Sequence, residues 1–551
     1  MSWQPSKAVP LLAGEPFCEK PPLTYWVAGA AIDAWGPDAW VARLPNLLYA
    51  LVTALAVGMI GRRSAGPIAG LVAAAAISTF LLSYQVAIWL ATDAPLLAAV
   101  AVALLGLYVG FYATGTGGRL RGYSLMHIAL AVGFLSKSAA AWMVPALTLI
   151  TLVVWERRWR EFLRWELYVG LFLQAALILA WVWVVYAGPD GPLHLKVFFW
   201  NNLVGRFAHV DAPEELQYAA AHRNSPGKYL IELPVYLWPW TLLVVAAARR
   251  AWRHRITSAE RQRPVRFALA TFVPTLGVLS MAATARNIYL APALPGVALL
   301  LGWWVSDLSP TTPDPWDARA MRGTSFLLLL AVIVFGAAVV ILGRDSWDVL
   351  NARILFAAAS VLGLASALAC ALFAWHAAGR GWLLRASFGL LLAYSALLIG
   401  PASQIYRRVD AWQDLGSIGR AIGRDAQGRP VILFAPDETT RAFIDMYTRT
   451  SVGLIPGPVT AQSAERLRAQ LESHPQSLVV TQLPGRNTSR AFRDLAARLG
   501  VGDRIAVTPL VDDDPTPAWA ANLQLRIAHR YALPNGRRYA LLAWEPATAS
   551  R

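Results

Sequence analysis

Charge is scarce in this chain and cysteine scarcer. Charged residues make up 15% of the 551, where a soluble globular protein carries about 25%. The two cysteines, Cys18 and Cys370, exclude a disulfide framework and a cysteine-based zinc pattern. Cys370 sits inside an apolar run and reads as a packing thiol. No internal repeat and no low-complexity segment stands out. Acids are also outnumbered, 33 against 49 lysines and arginines, for a net charge of +16. That excess does not point to nucleic acid, because the arginines cluster in short gaps between apolar blocks, as membrane topology signals do.

The chain is instead rich in apolar sequence, 56% of its residues. Leu44–Gly61 and Pro67–Leu90 contain no charge, and runs of roughly 18 or more such residues read as membrane spans. Twelve spans are expected: Leu44–Gly61, Pro67–Leu90, Thr92–Tyr112, Tyr123–Lys137, Ser138–Val154, Trp165–Ala187, Tyr229–Ala248, Val265–Ala283, Asn287–Leu308, Thr324–Leu342, Arg353–Trp375 and Trp382–Ser403. The fourth and fifth are short and flank Ser136-Lys137-Ser138. The fold class is therefore mostly α, a polytopic helical membrane domain over 1–403.

Arginine sets the expected orientation. Arg62 and Arg63, Arg119 and Arg121, Arg157 to Arg164, Arg249 to Arg263, Arg322 and Arg380 all fall on one side if the spans alternate. By the positive-inside rule that side is cytoplasmic. Residues 1–43, the loop 188–228 and everything after Ser403 are then external. A chain that starts outside needs something to carry it there, and residues 1–21 hold no apolar core. We therefore expect an additional span before Met1. In 404–551 the short runs at Val431, Ser451 and Ser477 read as buried strands. They alternate with amphipathic stretches such as Ala461 to Glu472, as in a small α/β domain. That segment lacks a glycine-rich phosphate fingerprint and is not read as nucleotide-binding.

The ionisable residues at outer span ends are Glu19, Lys20, Arg43, Asp93, Lys137, Arg206, Glu232 and Arg286. Each alone reads as well as a helix-end ion pair. Together, several cations on the face where the positive-inside bias disfavours them suggest an anionic ligand, and a phosphate at the membrane surface fits. Most of the 24 tryptophans, among them Trp26, Trp89, Trp200, Trp238 and Trp240, are expected to be interfacial anchors. His222, in the external loop, is a candidate for metal binding, acid–base work or acceptor contact.

These residues resemble a known family. Gly14-Glu-Pro-Phe-Cys-Glu-Lys-Pro-Pro-Leu-Thr-Tyr-Trp26 and Trp40-Val-Ala-Arg-Leu-Pro45 look like the aminoarabinose transferases (ArnT), glycosyltransferase family eighty-three of the membrane GT-C class, related to protein O-mannosyltransferases. In order follow Thr92-Asp93-Ala-Pro-Leu, Gly133-Phe-Leu-Ser-Lys-Ser138 against a glycine–Leu–Thr–Lys–Gly segment, and Phe198-Phe-Trp-Asn-Asn-Leu-Val-Gly-Arg-Phe207. His222-Arg-Asn-Ser-Pro, Leu237-Trp-Pro-Trp240 and Arg286-Asn-Ile-Tyr-Leu-Ala-Pro292 complete the set. The resemblance covers about Ala13 to Leu308.

The resemblance implies a sugar transferred from a polyprenyl-phosphate carrier to an acceptor hydroxyl or phosphate on the outer side of a bacterial inner membrane, without a nucleotide. The acceptor would be lipid A, another envelope glycan or a protein. Lys20, Arg206 and Tyr289 would hold the carrier phosphate, with Arg286 and Lys137 beside them. Asp93 matches the family's supporting aspartate. Glu19 matches a residue that helps bind a divalent metal, although the partner histidine's stretch here reads Asn201-Asn202-Leu203. The family's catalytic aspartate lies some thirty residues before Glu-Lys-Pro-Pro. Here no aspartate precedes Lys20, so the main base is expected outside this chain. Two other readings are a flippase for a lipid-linked sugar and a non-catalytic membrane scaffold. Transporters tend to show repeated halves and midplane charges, and neither is found here.

Overall fold

The computed structural model describes residues 8–12, 15–201, 227–253, 259–281, 286–308, 313–342, 350–410, 414–448, 452–483, 517–533 and 537–545. A two-stranded hairpin, β1 (Leu11–Leu12) and β2 (Glu15–Pro16), comes first. Helices follow: α1 (Leu23–Trp35), α2 (Ala39–Ala65), α3 (Pro67–Thr79), α4 (Leu81–Ile88), α5 (Asp93–Tyr112), α6 (Thr116–Lys137), α7 (Ala140–Glu156), α8 (Trp165–Tyr186) and α9 (Gly191–Leu195). Next come α10 (Lys228–Tyr236), α11 (Thr241–Arg253), α12 (Ala259–Met281), a 3-10 turn Asn287–Ala293, α13 (Leu294–Ser306), α14 (Pro315–Leu342), α15 (Leu350–Gly379), α16 (Leu383–Leu397) and α17 (Ser403–Asp410).

The protein is a membrane protein by the length and apolarity of these helices. Among the described residues eight are long and apolar enough to cross a bilayer, or up to ten if each of two bent pairs is one span. α5 and α13 are buried along nearly their whole length and form the axis of the bundle. α8, α14 and α15 turn most of their apolar surface outward, which is stable only against lipid.

Every expected span falls on helix, but two differ in shape. The second, Pro67–Leu90, bends by 62° between α3 and α4, and the seventh, Tyr229–Ala248, by 111° between α10 and α11. A hydrophobicity window sees an unbroken apolar run in both cases and carries no information on direction. The bend brings Trp240 into the core, where its indole N–H donates to Thr79 Oγ1 at 2.9 Å. It is a packing residue and not the interfacial anchor expected. α6 starts seven residues before the expected Tyr123, because Arg119 and Arg121 in its first turns interrupt the apolar run but not the helix.

The last part of the chain holds a small sheet of order β4-β3-β5-β7-β6. β3 (Val431–Phe434), β4 (Val452–Ile455) and β5 (Leu478–Leu483) are parallel, joined through α19 (Glu438–Tyr447) and α20 (Ala461–Ser473), with α18 (Leu415–Ala426) ahead of them. These match the three strands and the helix legible in the sequence. β6 (Leu525–Ala532) and β7 (Arg538–Trp544) add an antiparallel edge.

Candidate functional site

The site begins with how closely α5 and α6 pack. A Cβ on Gly122 of α6 would lie 2.5 Å from Gly110 Cα of α5, and one on Gly106 would lie 2.7 Å from the Gly122 carbonyl oxygen. Only glycine admits such an approach between helices. Because the two run antiparallel, the first residue of α5 then lies beside the last residue of α6. These are Asp93 and Lys137, and their side chains form a buried ion pair. α6 stops there because Ser138 has φ +60° and ψ −152°, a region that disfavours any residue with a side chain. Ser138 stands where the family segment has glycine.

A third group joins this pair. The Tyr289 ring lies 4.7 Å from Lys137 Nζ, within cation–π range. Tyr289 is carried by the 3-10 turn, and the turn is tied down by buried Tyr229, whose hydroxyl donates to the Arg286 carbonyl at 2.7 Å. The Arg286 side chain itself is exposed. Tyr236 donates to the Glu232 carboxylate one turn earlier on the same helix.

Lys20 lies on a neighbouring wall. Residues 8–12 and 15–20 lie over the end of α8, where Trp181 Nε1 donates to the Ala8 carbonyl at 3.1 Å. Pro21 and Pro22 end the loop and begin α1. Lys20 pairs with Glu19 at 3.1 Å, both largely buried. Lys20 lines a small cavity with Phe17, Cys18, Trp181, His194 and Phe198. Burial pushes the Cys18 thiol up from 9.0 to about 11, so it is a poor nucleophile at neutral pH. Phe134 links the two groups. It sits three residues before Lys137 and meets both Trp181 and Phe198 edge-on at 6.4 Å.

The structure thus brings together Asp93, Lys137 and Tyr289, and places Lys20 with Glu19 at the same end of the bundle. Arg206 and His222 lie outside the described residues. His194 was missed by sequence reasoning, which singled out only His222 in that loop. Its signal was its position seven residues after Ala187, where the expected sixth span ends. As to the metal implied at Glu19, that carboxylate faces an ammonium. Among the described residues no group of three or more His, Cys, Asp or Glu side chains is gathered to hold an ion. The described donor set does not fit a metal.

The opposite end of the bundle is built differently. Glu161 takes Arg158 and Arg164 at 3.0 and 2.9 Å and also accepts from Tyr123. Arg250 bridges Asp307 and fully buried Asp317 at 2.7 and 2.6 Å. Arginines stack there on Phe111, Tyr112, Trp155, Trp316, Trp375 and Trp382. Planar guanidinium suits both kinds of partner. Here the structure supplies what the charge pattern lacked, namely the carboxylates that hold the arginines.

Comparison with known proteins gives similarities in sequence and in fold. A family model described as dolichyl-phosphate-mannose-protein mannosyltransferase matches residues 19–185, starting at Glu19. An undecaprenyl phosphate-alpha-4-amino-4-deoxy-L-arabinose arabinosyl transferase of Pseudomonas aeruginosa is 28% identical over 294 residues, 53% of this chain and 51% of that one. One from Edwardsiella ictaluri is 27% identical over 342 residues, 62% and 58% of the two chains. The chain thus spans about half the length of the curated relatives it matches. The crystal structure of ArnT from Cupriavidus metallidurans bound to undecaprenyl phosphate superposes with a TM-score of 0.66 at 17% identity, covering 98% of this chain and 90% of that one. The apo form gives 0.65. The chain is similar in sequence and fold to the aminoarabinose transferases, as its motifs indicated.

Proposed function

We propose that this protein transfers a sugar from a polyprenyl-phosphate carrier to an acceptor of the cell envelope, on the outer side of the bacterial inner membrane. The observation that carries the reading is the set Lys20, Lys137 and Tyr289 held at one end of the bundle, the end opposite the arginine belt. Counting the eight long apolar helices, the two bent pairs, α6 and α7 as one crossing each gives the twelve crossings this reading requires. With the arginine belt cytoplasmic, the site faces outward and so does the unit after Ser403.

In this reading the acceptor oxygen attacks the anomeric carbon while the bond from that carbon to the phosphate oxygen breaks. The polyprenyl phosphate leaves with the electron pair. Lys20, with Arg206 and Arg286 from the flanking segments, stabilises the charge growing on the phosphate, and Tyr289 donates to it. The Asp93 carboxylate fixes the direction of the Lys137 ammonium. Asp93 is thus a positioning residue. A carboxylate locked to an ammonium is not offered as a base, and the acceptor's proton passes to another group.

The test is binding of undecaprenyl phosphate to the full chain in detergent, followed by transfer from labelled polyprenyl-phosphate sugars with the product identified by mass. Lys20→Ala is expected to weaken carrier binding about tenfold or more, the loss of a charge-assisted bond. Unchanged binding would remove Lys20 from the site. Carrier binding without any sugar-bearing product, alongside carrier movement between leaflets, would favour the flippase.

A further inference from the structure

The α15–α16 pair leaves a groove of about 440 Å³ on the surface of the bundle, remote from the site above. Its walls are Ala369, Cys370 and Phe373 of α15 and Phe388 and Leu392 of α16. Arg385 also lines it, in the first turn of α16. Seven residues separate Arg385 from Leu392, about 10 Å along the helix. The groove is therefore an apolar channel with a cation at one end. Phe373 and Leu392 are 49% and 59% exposed, so the channel opens to the membrane and not into the protein.

Arg385 differs from the arginines of the belt that hold carboxylates. Arg249, Arg250 and Arg253 hold Asp307, Asp314 and Asp317, and Arg158 and Arg164 hold Glu161. Among the described residues no carboxylate lies within ion-pair distance of Arg385, and the contact it makes is with the Trp382 ring at 4.9 Å. Trp382 also receives Arg380 at 5.4 Å. The N-terminus of α16 adds its own partial positive charge. A cation at the lipid boundary without a carboxylate calls for an anion, and the apolar channel beside it calls for hydrocarbon.

We propose that this groove is a binding site for an anionic phospholipid, its phosphate on Arg385 and one acyl chain along Cys370, Phe373, Phe388 and Leu392. Basic pockets between helices at the membrane surface recognise lipid head groups in this way. The inference is independent of the glycosyltransferase reading and requires only that the helices lie in a bilayer.

The test is native mass spectrometry of the full chain with phosphatidylglycerol and phosphatidylcholine of matched chains. The wild type is expected to retain phosphatidylglycerol about fivefold more than phosphatidylcholine, the effect of one surface arginine. Arg385→Gln should bring the two to parity. Ala369→Trp, which fills the channel from an exposed position, should lower retention of both. Soluble glycerol 3-phosphate in excess should displace neither lipid, since it lacks the chain. Arg322→Gln changes a belt arginine that stacks on Trp375 outside the groove, and should leave the preference intact. Equal retention of the two lipids by the wild type, a preference that survives Arg385→Gln, or an equal loss in Arg322→Gln would each overturn the proposal.

Discussion

At the scale of single residues, the weight falls on Lys137. Its ammonium and the Asp93 carboxylate are 11% and 4% exposed, so neither charge can be left alone. Lys137→Met is expected to destabilise the protein by about 3–5 kcal/mol, because it strands a buried carboxylate. The double variant with Asp93→Asn should recover much of that loss. Thermal unfolding in detergent measures both, and a double variant no better than the single one would show that the pair is not coupled. The next residue offers the reverse experiment. Ser138 adopts a backbone region that costs a residue with a side chain about 1–3 kcal/mol. Ser138→Gly should raise the unfolding temperature, and a fall would mean that the Ser138 side chain makes a compensating contact. The sequence showed a serine where the family has glycine, and the structure gives the physical meaning of that departure.

At the scale of elements, the glycines of α5 and α6 decide where Asp93 and Lys137 meet. Gly122→Leu would drive a side chain into Gly110 and force the helices apart. The expected cost is at least the roughly 1–3 kcal/mol of ordinary overpacking, read as lost thermal stability. It should be accompanied by weaker carrier binding, since the two helix ends that hold Lys137 separate. Gly117→Leu is the control. Gly117 lies in the first turn of α6 with open space at its Cβ position, so neither readout should move. Equal effects from the two variants would remove the helix contact from the argument. The apolar runs of the sequence announced both helices, yet they could not say that these three glycines face one another, because contact partners are a property of two elements at once.

For the whole molecule, the charges fall into two regimes. One end pairs arginines with carboxylates and aromatic rings, and the other carries Lys137 beside Asp93 and Tyr289, and Lys20 beside Glu19. A reporter enzyme that works only outside the cytoplasm, fused after Arg551, should be active. Activity there from a reporter that works only in the cytoplasm would invert the orientation and with it the outward-facing site. The unit after Ser403 also touches the membrane part. Tyr447 lies across Gly416 and Gly419 of α18 and comes near Asp38 and Ala39 at the start of α2.

The sequence by itself determined that this is a helical membrane protein, where its apolar segments lie, and which ionisable residues would be costly enough to matter. Those properties are local, since hydrophobic run length and charge position are written residue by residue. The ordered motifs from Glu19 to Tyr289 also carried the likeness to the aminoarabinose transferases. Only the tertiary structure decided that α3–α4 and α10–α11 bend, that Trp240 turns into the core, that Lys137 takes both Asp93 and Tyr289, and that His194 shares a cavity with Lys20. It also decided that Arg385 lines an apolar groove between α15 and α16. Each of these depends on groups far apart in the chain meeting in space, and a distance between helices is fixed by packing and not by any one segment's sequence.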